Sequence, residues 1–488
     1  DAFFQDSKVV YQETYKNDFS INRTALALYA VRDTSGNIVC RSGPPCSPYN
    51  IWALGGVSAG ALAFLQTPGF QKGYTEQKVQ GISLNSDLGE YGIKMPSAKS
   101  GLGVAFGLER RTERLQLDTD SAFSTGDFAC KGAPTIGLGG SFTVNDVYGE
   151  ARLPIMEGAP MADLLAVNAS YRRSDYSYGP KTDTYGFGAE WAPIKEARVR
   201  GSFQRAVRAA NIIELFTSQG LGLYDLAVDP CGPSKTASLA ACRNTGLPDA
   251  LYGNAFLDSP AGQYNANFGG NPRLKPEESD STTLGIVVTP TRNLAISVDY
   301  FKIEVEKLIG NAPPGTILAQ CLATGSSTFC SLIQRDRLGT LWATPAGVVQ
   351  ALNQNLGGLK TSGVDLNIDY AMKVGAWGGL KFNLTGTWLK EQKVEPIPGL
   401  GEYDCLGLHG ASCGVPSPKW RHKLRTTWET PWNVDISATW RHIDSVDQQG
   451  VSSNPQLANP ALADKDRTLG ERNYLDIAAS WQATKQFT

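Results

Sequence analysis

Apolar and polar residues alternate strictly along most of this sequence, in one segment after another of about ten residues, a period-two pattern that only β-strands convert into one dry and one wet face. Val364, Leu366, Ile368 and Tyr370 interleave with Asp365, Asn367 and Asp369. Leu294, Ile296, Val298 and Tyr300 interleave with Ala295, Ser297, Asp299 and Phe301, and Val434, Ile436, Ala438 and Trp440 with Asp435, Ser437, Thr439 and Arg441. Similar segments near 79–88, 101–111, 144–153, 163–173, 182–191, 196–206, 279–289, 378–391, 419–429 and 472–483 bring the expectation to about thirteen strands. About ten residues is also the length of a tilted strand that crosses a bilayer. A soluble β-sandwich alternates as well, so the pattern alone does not place the chain in a membrane.

Two further features favour an all-β, transmembrane antiparallel β-barrel. Aromatic residues recur on the apolar face near segment ends (Tyr171, Trp191, Tyr300, Tyr370, Trp388, Trp428, Trp440, Trp481), where the girdle of a membrane barrel lies. Short connections at 192–196, 289–293, 372–379 and 430–433 also contrast with long ones at 112–143, 207–277, 392–418 and 443–471, as periplasmic turns contrast with extracellular loops. Residues 1–74 lack sustained alternation and read as an elaborate extracellular loop region with short helices; 75–488 read as barrel strands and loops. Residues 306–347 resemble the first region, with a short helix expected over 316–320.

Composition excludes other classes. A formal charge of −2 over 488 residues, with no Lys/Arg block, gives no footprint for nucleic acid. No apolar run reaches the roughly 18 residues of a membrane helix. The longest, Trp52 to Leu65, contains three glycines and reads as a packed helix within a loop. The chain opens with Asp1 rather than Met and reads as a mature or partial chain without its targeting segment.

Eight of the nine cysteines fall into close couples, Cys40/Cys46, Cys231/Cys242, Cys321/Cys330 and Cys405/Cys413, each in a loop-like stretch. Local disulfides in an oxidising compartment fit this spacing, and zinc or thioredoxin chemistry does not. Cys130 is left over, with a partner outside this chain as one reading.

Chemistry-bearing motifs are sparse. Gly56-Val57-Ser58-Ala59-Gly60 matches the G-x-S-x-G elbow of serine hydrolases, but the only histidines are His409, His422 and His442, and the required strand-turn-helix context is missing. Gly101-Leu102-Gly103 with Gly107 is not a dinucleotide fingerprint. We expect no catalytic residues, resident metal or cofactor. Arg198, Arg200, Arg421, Lys423 and Arg425 lie on polar faces, where they line a lumen and meet an anionic substrate or a plug, or simply form a solvated wall. Tyr224, Tyr252, Tyr264 and Trp342 are loop aromatics that either stack on a ring-bearing ligand or pack the loops together.

Three segments, 205–216 (Arg-Ala-Val-Arg-Ala-Ala-Asn-Ile-Ile-Glu-Leu-Phe), 271–279 (Asn-Pro-Arg-Leu-Lys-Pro-Glu-Glu-Ser) and 361–366 (Thr-Ser-Gly-Val-Asp-Leu), resemble the barrel of TonB-dependent receptors, especially the large proteobacterial subgroup with disulfide-bearing loops. The second is the most specific; in the first, Ala210 stands where proline is more usual. The resemblance implies a 22-stranded outer-membrane barrel of a Gram-negative bacterium, of which this chain is a part lacking plug, TonB box and terminal strands. It also implies import of a scarce nutrient, driven by the TonB–ExbB–ExbD complex, with outer-membrane lipid around the barrel. Siderophore, vitamin, oligosaccharide and peptide cargo all fit. A passive porin and a soluble β-rich binding protein are the alternatives.

Overall fold

The computed structural model describes residues 1–130, 134–397, 400–459 and 462–484. Its alternating segments become one fifteen-stranded sheet. The path runs through β1 (Ala2–Phe19), β2 (Gln66–Asp87), β3 (Gly103–Thr119), β4 (Leu138–Ala159), β5 (Ala162–Tyr176), β6 (Lys181–Ile194), β7 (Ala197–Arg208), β8 (Glu277–Thr291), β9 (Leu294–Gly310), β10 (Gln354–Lys373), β11 (Gly379–Glu395), β12 (Trp420–Glu429), β13 (Val434–Ile443) and β14 (Arg472–Trp481), with Tyr403–Asp404 attached to β11. Each strand pairs antiparallel with the strand before and after it in this order. The final Gln486-Phe487-Thr488 lies outside the described residues.

Register follows from the side-chain pattern. Leu294, Ile296, Val298 and Tyr300 stand opposite Tyr370, Ile368, Leu366 and Val364. A slip of one residue would move Asp365, Asn367 and Asp369 onto that face, so the apolar face fixes the pairing. None of the described residues covers that face: Leu284 is 59% and Ile477 73% exposed, with Phe106, Leu108, Val147, Phe187 and Trp388 open beside them. A band this wide is far beyond the scattered apolar exposure of a soluble surface. Near its edge the indole N–H of Trp191 donates to the Met161 carbonyl (2.9 Å) and that of Trp428 to the Trp377 carbonyl (2.7 Å), each ring keeping a polar contact at a turn.

The connections divide by end. At one end lie 160–161, 195–196, 292–293, 374–378 and 430–433, all short, with only 88–102 longer. At the other lie 20–65, 120–137, 209–276, 311–353, 396–419 and 444–471, with 177–180 as the short exception.

Two expectations need correction. Residues 1–74 are not all loop, since Ala2–Phe19 is a full strand and β2 begins at Gln66. The doublets Phe3-Phe4 and Val9-Val10 break the alternation, so the strand is imposed by backbone pairing with β2 rather than announced by its own pattern. Short helices do occupy Ile21–Leu28 and Ala59–Leu65. The stretch from Trp52 is not one packed helix either: it turns at Gly55 (φ +72°) and becomes helical only after Ser58, whose hydroxyl accepts the Ala61 N–H at 3.1 Å. Ser58 of the apparent hydrolase motif is therefore an N-cap. The helix expected over 316–320 runs Pro314–Thr324.

Candidate ligand-facing surface

The polar face carries a ladder of charge pairs set by the register. Arg200 opposes Gly285, which opposes Asp299, and the missing side chain lets the guanidinium reach across to the carboxylate with two bonds of 2.9 Å. Arg172 pairs with Asp146 at 2.7 Å, and Arg441 with Asp476 at 2.9 Å. The side chain of Thr387 donates to Asp365, and that of Asn383 to Asp369, at 2.7 Å. Arg198 lies 4.0 Å from Glu190, and Arg425 donates to the Ser437 hydroxyl at 3.3 Å. Arg421 and Lys423 have no carboxylate partner among the described residues.

Lys423 and Arg425 line a hollow of about 860 Å3 at the short-turn end, together with Lys195, Arg292 and Lys381. Lys381 is paired with Glu429, and the other four cations face Glu196 and Asp369 along the lining, so the hollow favours anionic groups. Arg421 and Lys423 also border a second hollow of about 580 Å3 with Asp299, Asp365 and Arg441.

At the long-loop end, 209–276 and 311–353 fold together into a cap. Its four-stranded sheet takes Gly220–Asp225 and Gln263–Phe268 from the first loop, and Val348–Gln350 and Ile333–Gln334 from the second. Tyr264, Ile317, Leu341 and Val349 form its core, and disulfides Cys231–Cys242 and Cys321–Cys330 close the flanking helices. Cys40–Cys46 and Cys405–Cys413 close two other loops, and Cys130 is free and exposed. The Arg335 guanidinium, from the second loop, donates to both carboxylate oxygens of Asp229, from the first, and also to Thr245 Oγ1 and the Gly339 carbonyl. Burial pushes the adjacent Asp336 carboxyl up, but the Thr340 hydroxyl and N–H, the Thr344 hydroxyl and the Leu338 N–H together hold it below the ordinary range.

The loop aromatics of the sequence reading sit in this cap. Tyr264 is fully buried, its phenol oxygen accepting the Ser259 N–H at 3.1 Å, and has no surface with which to stack on a ligand. Tyr224 packs on it at 5.9 Å between ring centres, and burial pushes its phenol up. Tyr252 donates to the Ala237 carbonyl, and Trp342 to that of Phe256. Tyr264 thus belongs to the packing alternative, because the shared sheet needs a core of its own. Exposed apolar side chains of the loops include Trp52, Leu54, Leu221 and Leu223.

The cap is tied to the sheet by a polar clasp. Arg208 forks onto Glu277 at 2.5 and 2.6 Å and reaches Glu214 at 3.2 Å. Glu214 and Asn211 form a capping box on the helix Ile212–Phe216. Asn271 donates to the Asn353 carbonyl, Asn353 to that of Glu214, and Asn355 to those of Lys275 and Lys307. The segments 205–216 and 271–279 therefore meet at one junction. In the third family-like segment, a Cβ on Gly363 would lie 2.6 Å from the Trp388 carbonyl oxygen and 2.8 Å from the Phe301 ring, so glycine is required there.

The family model described as TonB dependent receptor-like, beta-barrel, matches residues 11–488. The chain belongs to that family. TonB-dependent receptors are outer-membrane transport proteins of Gram-negative bacteria, not an enzyme family. Among solved structures, this receptor chain is similar to the ferric enterobactin receptor PfeA of Pseudomonas aeruginosa (TM-score 0.54, 11% identity, covering 99% of this chain and 52% of that one). It is also similar to the siderophore receptor PirA of Acinetobacter baumannii (TM-score 0.51, 11% identity, 99% and 54% covered). At such identity the likeness is one of fold, and the chain spans about half the length of these receptors. No curated protein sequence matches it.

Proposed function

We propose that this chain is the barrel portion of an outer-membrane receptor that captures a scarce nutrient at its long-loop end and imports it actively. The observation that carries the reading is the family match across a meander that is apolar and uncovered on one face, polar on the other, and long-looped at one end. The apolar face is the lipid-facing wall and the polar face the lumen. Arg198, Arg200, Arg421, Lys423 and Arg425 are lumenal in this reading, and the cationic hollow at the short-turn end is placed to hold carboxylates of a plug. The TonB–ExbB–ExbD complex supplies energy through such a plug. Tyr252 and Trp342, with partly exposed rings in the cap, are the aromatics available to a ligand, and the siderophore receptors of similar fold make a ferric chelate one candidate cargo.

The test is uptake. A Gram-negative strain lacking the gene, and the same strain carrying the complete gene, are offered ferric siderophores, cobalamin, oligosaccharides and peptides as the limiting source. Complementation that disappears when the proton gradient is collapsed or TonB is deleted supports the reading; uptake that persists makes the protein a passive channel.

A further inference from the structure

The cap sheet ends on an open edge. Among the described residues, Gly220–Asp225 pairs only with Gln263–Phe268. The Leu226 N–H donates to the Gly262 carbonyl, which sets the phase of the ladder: residues 220, 222 and 224 bond to the neighbouring strand, and 221, 223 and 225 point their backbone groups away from it. The opposite strand agrees, since Asn265 N–H and the Asn267 carbonyl turn away from this pair, toward Leu341 and Ala351. Among the described residues, the N–H and C=O of Leu221 and Leu223 have no hydrogen-bond partner.

Nothing blunts this edge. It has no proline, no lysine and no bulge, the usual guards against strand addition. Phe268 covers the face at Gly222, on the same side as the packed Tyr224, while Leu221 and Leu223, 51% and 58% exposed, project from the other. The only charge on the strand is Asp225 at its end. Donors and acceptors at strand spacing between two apolar side chains match one chemistry, the backbone of an extended peptide.

Position selects among peptides. The strand follows the helix Ile212–Phe216, which packs on Phe142, Val144 and Tyr176. Phe142 and Val144 project from the same face of β4 as Asp146 and opposite to the exposed Val147, so the helix lies on the polar wall and carries the edge inside the rim. A second copy in the same bilayer would approach the apolar wall and would not reach it.

We infer that Gly220–Asp225 is a ligand-capture strand, which binds a linear peptide by adding it as a further strand of the cap. This rests on the receptor reading for the lumenal side being the ligand's side. The probe is an end-capped hexapeptide of alternating Thr and Val, set against the same peptide with alternate backbone nitrogens methylated, both titrated by fluorescence anisotropy onto the full-length protein in detergent. The unmethylated peptide is expected to bind, and the methylated one at least about tenfold more weakly, because a methylated nitrogen donates nothing. Leu223→Pro removes an edge N–H that makes no bond within the sheet, and Leu223→Lys places a guard on the edge without touching the backbone; each should weaken binding about tenfold or more. Equal binding of the two peptides, binding indifferent to both variants, or no binding overturns the inference. Concentration-dependent dimerisation abolished by Leu223→Lys would overturn it too, by making a second copy the occupant. Failure of the receptor reading shows separately, as uptake that ignores the proton gradient.

Discussion

Asp229 and Arg335 lie 106 residues apart, on two different loops, and face each other at 2.7 and 3.1 Å with side chains 0% and 1% exposed. Every polar contact of the pair stays within the cap. Removing one partner strands a buried charge, which costs about 3–5 kcal/mol, whereas replacing both with apolar groups relieves much of that loss. Arg335→Met alone should therefore open both 209–276 and 311–353 to amide hydrogen exchange while the sheet strands stay protected. Adding Asp229→Leu should recover much of the protection.

The pH response of the cap follows from Asp336. Its carboxyl is held below the ordinary value, so its contribution to stability is complete above the unfolded-state pKa of about 4 and is lost as pH falls through the lower folded value. Trp342 lies in the same loop and reports on it. The fluorescence difference between wild type and Trp342→Phe should hold steady down to about pH 4 and change below it, and Asp336→Asn should flatten that transition.

Cys130 should be the one thiol that reacts before reduction. Iodoacetamide is expected to add a single label to the native protein, and nine after reduction and denaturation. The charge of Asp18 beside it, helped by a hydrogen bond, pushes the thiol up. Alkylation should thus be slow at neutral pH, accelerate as pH rises past the ordinary thiol value, and be faster at neutral pH in Asp18→Asn.

Gly363 tests the sheet itself. Gly363→Val forces a side chain against the Trp388 carbonyl and the Phe301 ring at the β10–β11 irregularity. Overpacking of this kind costs roughly 1–3 kcal/mol. The variant should lose its compact, heat-modifiable band on semi-native gels at a lower urea concentration than wild type; an unchanged midpoint would count against the close contact.

What the sequence disclosed tracks how local each cause is. Alternation within a segment, as in Leu294 to Tyr300, states which side chains share a face, and each of the thirteen expected segments falls on a strand of the sheet, some overrunning its ends by one or two residues. β1 stayed hidden because its strand state comes from a neighbour's backbone. Close cysteine couples declared the loop disulfides, since both ends sit in one short stretch. The Asp229–Arg335 pair and the burial of Tyr264 depend on two loops meeting, and no local pattern in either loop encodes the other.

The clasp of Arg208, Glu214, Asn271, Glu277, Asn353 and Asn355 makes the cap a cassette with fixed splice points. Its contents run from Phe216 to Asn271 and from Ala312 to Asn353, and both lengths begin and end at the same junction. A graft of new specificity onto this barrel has to exchange the two lengths together. Transplanting one would leave half a sheet and a single buried charge, however well the new loop suited its ligand.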